Sequence, residues 1–431
     1  MSVLLPAGRP HEIVLTTNFG IITSADDGAT WTWSCEQDER GSRDLYQYGA
    51  PGQLRLFARD AIGLVFSDDG GCSWGAAAGS GLAGSVVTDA FPDPIDPMRV
   101  LAVVAPMPYR LLESSDAGST FGVLRYAAAA GVSISSVEIA RSDPQTVYLV
   151  TLSSSGATFV TKLLRSTDGG ASWMEHDVTG AVGSGSALII AVDPADPLRV
   201  FLRVNTDTGN KLVITEDGGA TFKAPLALTG GFMKGFALMT SGTILVTGMV
   251  GVDPVLHRST DRGVTFETVP DPPKLWGLAE RGGMLYGAGQ TGERFAVGTS
   301  TDEGTTWQTL MNYSQVVAIA SCVKPACQGL CQTEVDRGLW AQAVCAAAEP
   351  PRPDASTLTP PDAEADGAGD ATGDAGDRGA DGGTTTGGSG CSCATAEATA
   401  VFAPVLLLGA AALLARRSRP RMTTTPDTPK H

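Results

Sequence analysis

Apolar and polar positions fall in a short rhythm along most of the chain. Runs of three to five mostly β-branched or aliphatic residues alternate with turn-forming stretches. Examples are Ile13-Val14-Leu15, Val100 to Val104, Val147 to Val150, Arg199 to Leu202 and Thr243 to Val246. Their length and β-branching fit buried strands rather than helices. Pro-rich turns precede several of them, as at Asp93-Pro94-Ile95-Asp96-Pro97, Asp143-Pro144 and Asp193-Pro194-Ala195-Asp196-Pro197. A second short strand, such as Gly20 to Thr23 or Leu212 to Ile214, leads into an octapeptide of form S/T-x-D-x-G-x-T/S-W/F. That octapeptide starts at 24, 67, 114, 166, 215, 259 and 300, at intervals of 43, 47, 52, 49, 44 and 41 residues. Repeats of this length are typical of propeller blades. The pattern predicts an all-β chain: a seven-bladed β-propeller of four-stranded antiparallel blades over residues 1–321.

Each octapeptide position has a mechanical reason. The carboxylates of Asp26, Asp69, Asp116, Asp168, Asp217, Asp261 and Asp302 can accept turn N–H groups that no ladder satisfies. The Gly allows a positive φ, and the closing Trp or Phe offers a large apolar face. These residues resemble the Asp-box, or BNR-repeat, propellers, a class that includes sialidases, sortilin-type receptors, some glycoside hydrolases and photosystem assembly factors. The resemblance implies a scaffold role for the seven aspartates, not a catalytic one. The sialidase signature itself is missing: no Arg-Ile-Pro occurs in the N-terminal region, and seven boxes are present where sialidases have six blades. A glycosidase using two opposed carboxylates is the alternative reading.

Composition narrows the classes further. The net charge of −16 argues against a nucleic-acid binder, which needs a basic surface stripe. The 53 glycines and 26 prolines suit short strands and tight turns. Four scattered histidines give no metal site or His-based triad, and His257 reads as a satisfied strand residue. Gly287-Ala-Gly289-Gln-Thr-Gly292 matches a dinucleotide fingerprint but lies between two expected strands, so it reads as a glycine loop. No cofactor and no metal is expected, and the chain reads as a monomer.

Strand direction sorts the loops. The first turn of each blade and the octapeptide turn emerge on one face, here called the clasp face. The strand 2–3 loops and the links between blades emerge on the other, the link face. Two stretches are expected on the link face as ligand contacts: Glu36–Leu45 leading to Tyr46 and Tyr48, and Ala105–Arg110 with Tyr109 and Arg110. Such residues anchor interfaces, and they equally pack blades together.

Beyond the last blade, Cys322, Cys327, Cys331 and Cys345 lie within 24 residues. Their spacing lacks the paired knuckles of zinc sites, so two disulfides within a segment spanning 322–348 are expected, with connectivity open. Cys35 and Cys72 either pair with each other or stay buried as thiols. Residues 349–390 carry nine acids, two arginines and no Val, Ile or aromatic residue, the composition of a linker. The string Asp362-Ala-Glu364-Ala-Asp366-Gly367 mimics a calcium loop but has Gly373 at its twelfth position, where the bidentate Glu belongs.

Residues 391–421 combine Cys391-Ser392-Cys393, an apolar run from Ala398 to Ala415 and the cluster Arg416, Arg417, Arg419 and Arg421, followed by a tail at 422–431. Eighteen helical residues reach about 27 Å, enough for a thin bilayer, and the arginines should stay cytoplasmic. This arrangement resembles the MYXO-CTERM sorting signal of myxobacterial surface proteins. The resemblance implies export, a membrane anchor, and processing at Cys391 or Cys393. Ser392 departs from the commoner Gly, and ten residues follow the cluster. The N-terminus shows no leader; Ser2–Leu5 reads as the end of a first-blade strand, which points to a start upstream of Met1. Gln315–Ser321 is the alternative closing strand. The function expected is a surface-anchored binding or scaffold propeller, its partner a surface glycan or protein.

Overall fold

The structure is a computed structural model. It describes residues 1–351 apart from 36–42, 52–53, 62, 80, 83–84, 156–157 and 184. The linker, Cys391, Cys393, the apolar run and the arginine cluster lie outside the described residues. Among the described residues no helix is long and apolar enough to cross a membrane.

Seven sheets form the blades, each with four antiparallel strands, and one carries a fifth. The innermost strands are Ser2–Leu4, Asp44–Tyr48, Val86–Pro92, Val132–Ile139, Ser186–Val192, Gly231–Leu238 and Leu275–Arg281, so the fold is the seven-bladed propeller expected from the repeat. The core is divided into wedges between neighbouring blades rather than gathered at one centre. Tyr148, Val150 and Leu163 of blade 4 meet Val200, Leu202 and Val204 of blade 5 in one wedge. Phe201 and Leu212 meet Phe236 and Ile244 of blade 6 in the next. Alternation makes this possible: successive residues of the strand Val200–Thr206 point to opposite sides of their blade, so one strand feeds two wedges.

Both strands considered for closing the ring are present, with different tasks. Ser2–Leu4 pairs in register with Ile13–Thr17 and completes the four antiparallel positions of blade 1. Val316–Ile319 instead runs parallel to Trp31–Ser34 as a fifth, outer strand. With the four positions filled, the edge of Trp31–Ser34 is the place where unpaired backbone groups remain to be satisfied. Blade 7 is fastened to blade 1 by Arg281, whose guanidinium donates to the Glu12 carbonyl at 2.9 Å.

The cysteines pair differently from expectation. Only Cys331–Cys345 lies within the C-terminal segment. Cys35 bonds Cys327 and Cys72 bonds Cys322, so the two blade cysteines neither pair with each other nor stay free. The physical cause is packing. The helix Lys324–Asp336 and the short helix Ala343–Ala346 do not build a core of their own. Their Cys327, Cys331, Val344 and Cys345, with Trp340, join the apolar cluster of Trp31, Trp33 and Ile319. Trp340 lies 5.0 Å from Trp33, ring centre to ring centre.

Candidate functional site

The seven octapeptides share one geometry. In the first, the Ser24 hydroxyl donates to Asp26 Oδ1 at 2.7 Å, and the Gly28 N–H donates back to Ser24 Oγ at 2.8 Å. The Thr30 N–H reaches Asp26 Oδ1 at 2.9 Å, and its hydroxyl reaches Oδ2 at 2.6 Å. Asp69, Asp116, Asp168, Asp217, Asp261 and Asp302 repeat these contacts with their own Ser or Thr neighbours. Gly71, at φ 94°, shows why a glycine is needed: an added Cβ would sit 2.4 Å from Ile21.

These bonds set the acidity. At Asp168 and Asp261 the hydroxyls of Ser172 and Thr265 dominate and hold the carboxyl down at about 2. At Asp217 desolvation is the largest single influence and pushes upward, yet the bonds from Thr221 and Thr215 outweigh it and again leave about 2. Asp26, Asp69, Asp116 and Asp302 follow the same balance and lie below the ordinary 3.8. A carboxyl depressed in the folded state contributes stability above its unfolded value, and that stability is lost as pH falls through the folded value. The urea midpoint is therefore expected to drop steeply between about pH 4 and pH 2, and Asp217→Asn to make the drop shallower. A slope unchanged in the variant would contradict this role.

A second device fastens three of the clasps to the preceding blade. Arg99 donates to the Gly169 carbonyl of the blade 4 octapeptide at 3.0 Å, to Pro144 O at 2.8 Å and to Glu113 at 3.0 Å. Arg55 reaches Ala117 O, and Arg199 reaches Arg262 O, each at 2.7 Å. In all three the acceptor is the fourth octapeptide residue of the next blade. Arg99 and Arg199 share the string D-P-x-D-P-x-R, a signal present in the sequence. A cleft of about 290 Å³ opens beside Arg99, lined by Asp93, Asp96, Glu113, Arg125 and Asp168. Asp93 and Glu113 there are spent on Arg99 and Arg125.

The four residues expected to contact ligand serve the seams between blades. Tyr46 is buried and meets Trp74 edge-on. Tyr48 ends an inner strand on the clasp face, not the link face, and its hydroxyl donates to Glu12 at 2.8 Å. Inner strands run from the link face to the clasp face, so Tyr46 and Tyr48 lie progressively further from the link. Tyr109 is on the link face but packs against the wedge of blades 3 and 4. Arg110 donates to Gly81 O at 3.0 Å and Ser85 Oγ at 3.2 Å, tying down the link from blade 2. Most of the Glu36–Leu45 link lies outside the described residues.

Two groupings on the inner strands were not legible in the sequence. Asp89 Oδ2 accepts the Val137 N–H at 2.9 Å, and Glu138 Oε1 accepts the Val192 N–H at 2.8 Å, each bridging to the next blade. Desolvation raises Asp89 to about 7 and Glu138 to about 8, the latter also pushed up by the Asp89 charge. The other grouping is cationic. In blades 6 and 7 the inner strand slips register at Lys234 and at Trp276. Such bulges re-aim a side chain, and the Lys234 ammonium lies 4.1 Å from the centre of the Trp276 ring. Behind them Arg203 is 8% exposed, and its Nη1 has the Met233 carbonyl at 3.5 Å.

The geometry defines a seven-bladed propeller whose repeated motif is built into its seams. No family model matches the chain. No curated protein matches it either. Solved structures do match. A puromycin-hydrolyzing peptidase of Mycobacterium tuberculosis is 15% identical, with a TM-score of 0.52 over 75% of this chain and 55% of that one. YCF48 from Cyanidioschyzon merolae is 14% identical, with a TM-score of 0.47 over 68% of this chain and 93% of that one. The GH74 xyloglucanase of Xanthomonas campestris is 14% identical, with a TM-score of 0.39 over 75% and 59%. The chain thus spans little more than half the length of the peptidase and the xyloglucanase. At these identities the likeness is one of fold, and this fold carries unrelated functions.

Proposed function

We propose that the chain is a non-catalytic binding or scaffold propeller of the Asp-box type, displayed at the cell surface and tethered through its C-terminal sorting signal. One observation carries this reading: each octapeptide carboxylate is taken up by the hydroxyl and amide donors of its own turn. The repeated acids then build the ring, and recognition falls to the link-face loops and the channel mouth. The disulfides suit an oxidising, extracellular setting. The tail composition supplies the address: Cys391 or Cys393 is the processing position, and Arg416, Arg417 and Arg419 form the retained cytoplasmic flank. The partner is a surface glycan or protein. The test is a screen of the full chain against glycans and envelope proteins, with chromogenic glycosides included. Saturable capture without turnover is expected. Turnover abolished by one Asp or Glu substitution would replace this reading with a glycosidase.

A further inference from the structure

The cleft of about 290 Å³ at the seam of blades 3 and 4 has a floor that is already built. Glu113 joins its two arginines. Its Oε2 accepts from Arg99 Nε and from Arg125 Nε, each at 3.0 Å, and its Oε1 accepts from Arg125 Nη2 at 2.6 Å. Asp93 is buried and takes Arg99 Nη1 at 3.1 Å. Two carboxylates and two guanidiniums thus balance and hold one another in place. Such a floor needs no rearrangement to receive a guest.

The walls carry charge that the floor does not answer. Asp96 and Asp168 also line the cleft, and among the described residues neither has an ion-pair partner. Four carboxylates therefore face two guanidiniums, which leaves two negative charges in excess. Asp96 Oδ1 takes the Met98 N–H at 2.9 Å, and its other oxygen is open to a donor. Among the described residues no three acids, histidines or cysteines converge closely enough to hold a metal ion, so the acids are spread along the walls. Apolar surface is interleaved with them. Ile95, 55% exposed, and Pro144 belong to the lining. Val123, 45% exposed, lies opposite Glu113 in the ladder and so on the same side of its sheet. Gln145 adds an exposed carboxamide.

We propose that this cleft receives an arginine side chain from a basic segment of a protein partner, which makes the clasp-face side of blades 3 and 4 an interaction surface. Its volume lies at the lower end for small-molecule sites, roughly 300–1,000 Å³, a size that suits one inserted side chain. A guanidinium is planar and weakly hydrated, and it meets a carboxylate such as Asp96 through two parallel N–H donors. Its aliphatic stem lies along Ile95, Pro144 and Val123, while the charged head reaches the acids. An ammonium, of a lysine or a polyamine, is a compact and strongly hydrated charge, and it matches these flat acceptors less well. The net charge of −16 opposes a second copy of this chain as the guest. The surface is opposite the link-face loops and stands apart from whatever those loops bind.

The test is fluorescence anisotropy on the full chain with the labelled peptide Ser-Leu-Arg-Leu-Ser, its citrulline and lysine counterparts, and spermidine as competitor. The arginine peptide is expected to bind saturably, and more weakly as salt is raised. The citrulline peptide keeps the shape without the charge and is expected not to bind. Asp96→Asn keeps an oxygen for the Met98 N–H, and Gln145→Lys sets an ammonium in the cleft. Each should lower affinity about tenfold or more, the scale of a charge-assisted hydrogen bond. Both positions are exposed, so both variants should melt with the parent. Equal binding of the citrulline peptide, tighter binding of the lysine peptide or of spermidine, unaltered affinity in both variants, or no binding of the arginine peptide would each overturn the site. A dimer of the full chain that Gln145→Lys dissolves would assign the surface to a second copy instead. None of these results touches capture at the link face, so this site and the binding-module reading fail separately.

Discussion

Replacing Cys35 and Cys327 together by serine is expected to lower the stability of the chain by about 4–5 kcal/mol, and replacing Cys331 and Cys345 by about 3 kcal/mol. The difference comes from what each bridge denies to the unfolded chain. Cys35 and Cys327 are 292 residues apart, and Cys331 and Cys345 only 14. Closing the longer loop removes more conformational freedom, though the gain grows slowly with length. The Cys72–Cys322 bridge, with a separation of 250, belongs with the larger class. Denaturant unfolding of the three double variants under non-reducing conditions checks this. Equal losses in all three, or no further loss of parent stability on adding reductant, would contradict it.

The second large effect is alkaline. Glu138 is 5% exposed and its carboxyl is raised from 4.5 to about 8, first by desolvation and then by the Asp89 charge. The folded chain thus keeps a proton that the unfolded chain releases. The contribution of Glu138 to stability is fully present below about pH 4.5, is lost as pH rises from there to about 8, and levels off above. The loss across this window is on the order of 3–5 kcal/mol. Asp89, raised to about 7, acts in the same direction. Glu138→Gln keeps an oxygen for the Val192 N–H and removes the titration. The variant should therefore gain on the parent steadily between pH 5 and pH 8. Parallel stability curves over that range would show that Glu138 is not the group responsible.

What could be read from the sequence was what repeats locally. Seven octapeptides at blade spacing placed the ring and its clasps, because each turn is satisfied by residues within eight positions of one another. The pairing of Cys35 with Cys327 could not be read that way, since it depends on how a C-terminal helix packs against Trp33. Nor could Arg203 and Lys234: they share no local pattern, and a one-residue slip at Lys234 sets which way that side chain is turned. Tyr48 falls on the clasp face rather than the expected link face for a simpler reason, that a residue following a link can lie a whole strand away from it. The seam arginines were within reach. Arg99 and Arg199 close the same seven-residue string, and each binds the octapeptide of the following blade.

The parallel strand Val316–Ile319 and the bridges after it also decide how tension would pass through the molecule. A pull applied beyond residue 351 would reach Cys345 first, then cross by sulfur to Cys331 in the helix Lys324–Asp336. From Cys327 and Cys322 it would pass into Cys35 of blade 1 and Cys72 of blade 2. Load would therefore be divided between two neighbouring blades through covalent links, and the outer strand would not be the first thing to peel. Under the proposed C-terminal tether, the mooring point is stitched to the ring rather than resting on its rim.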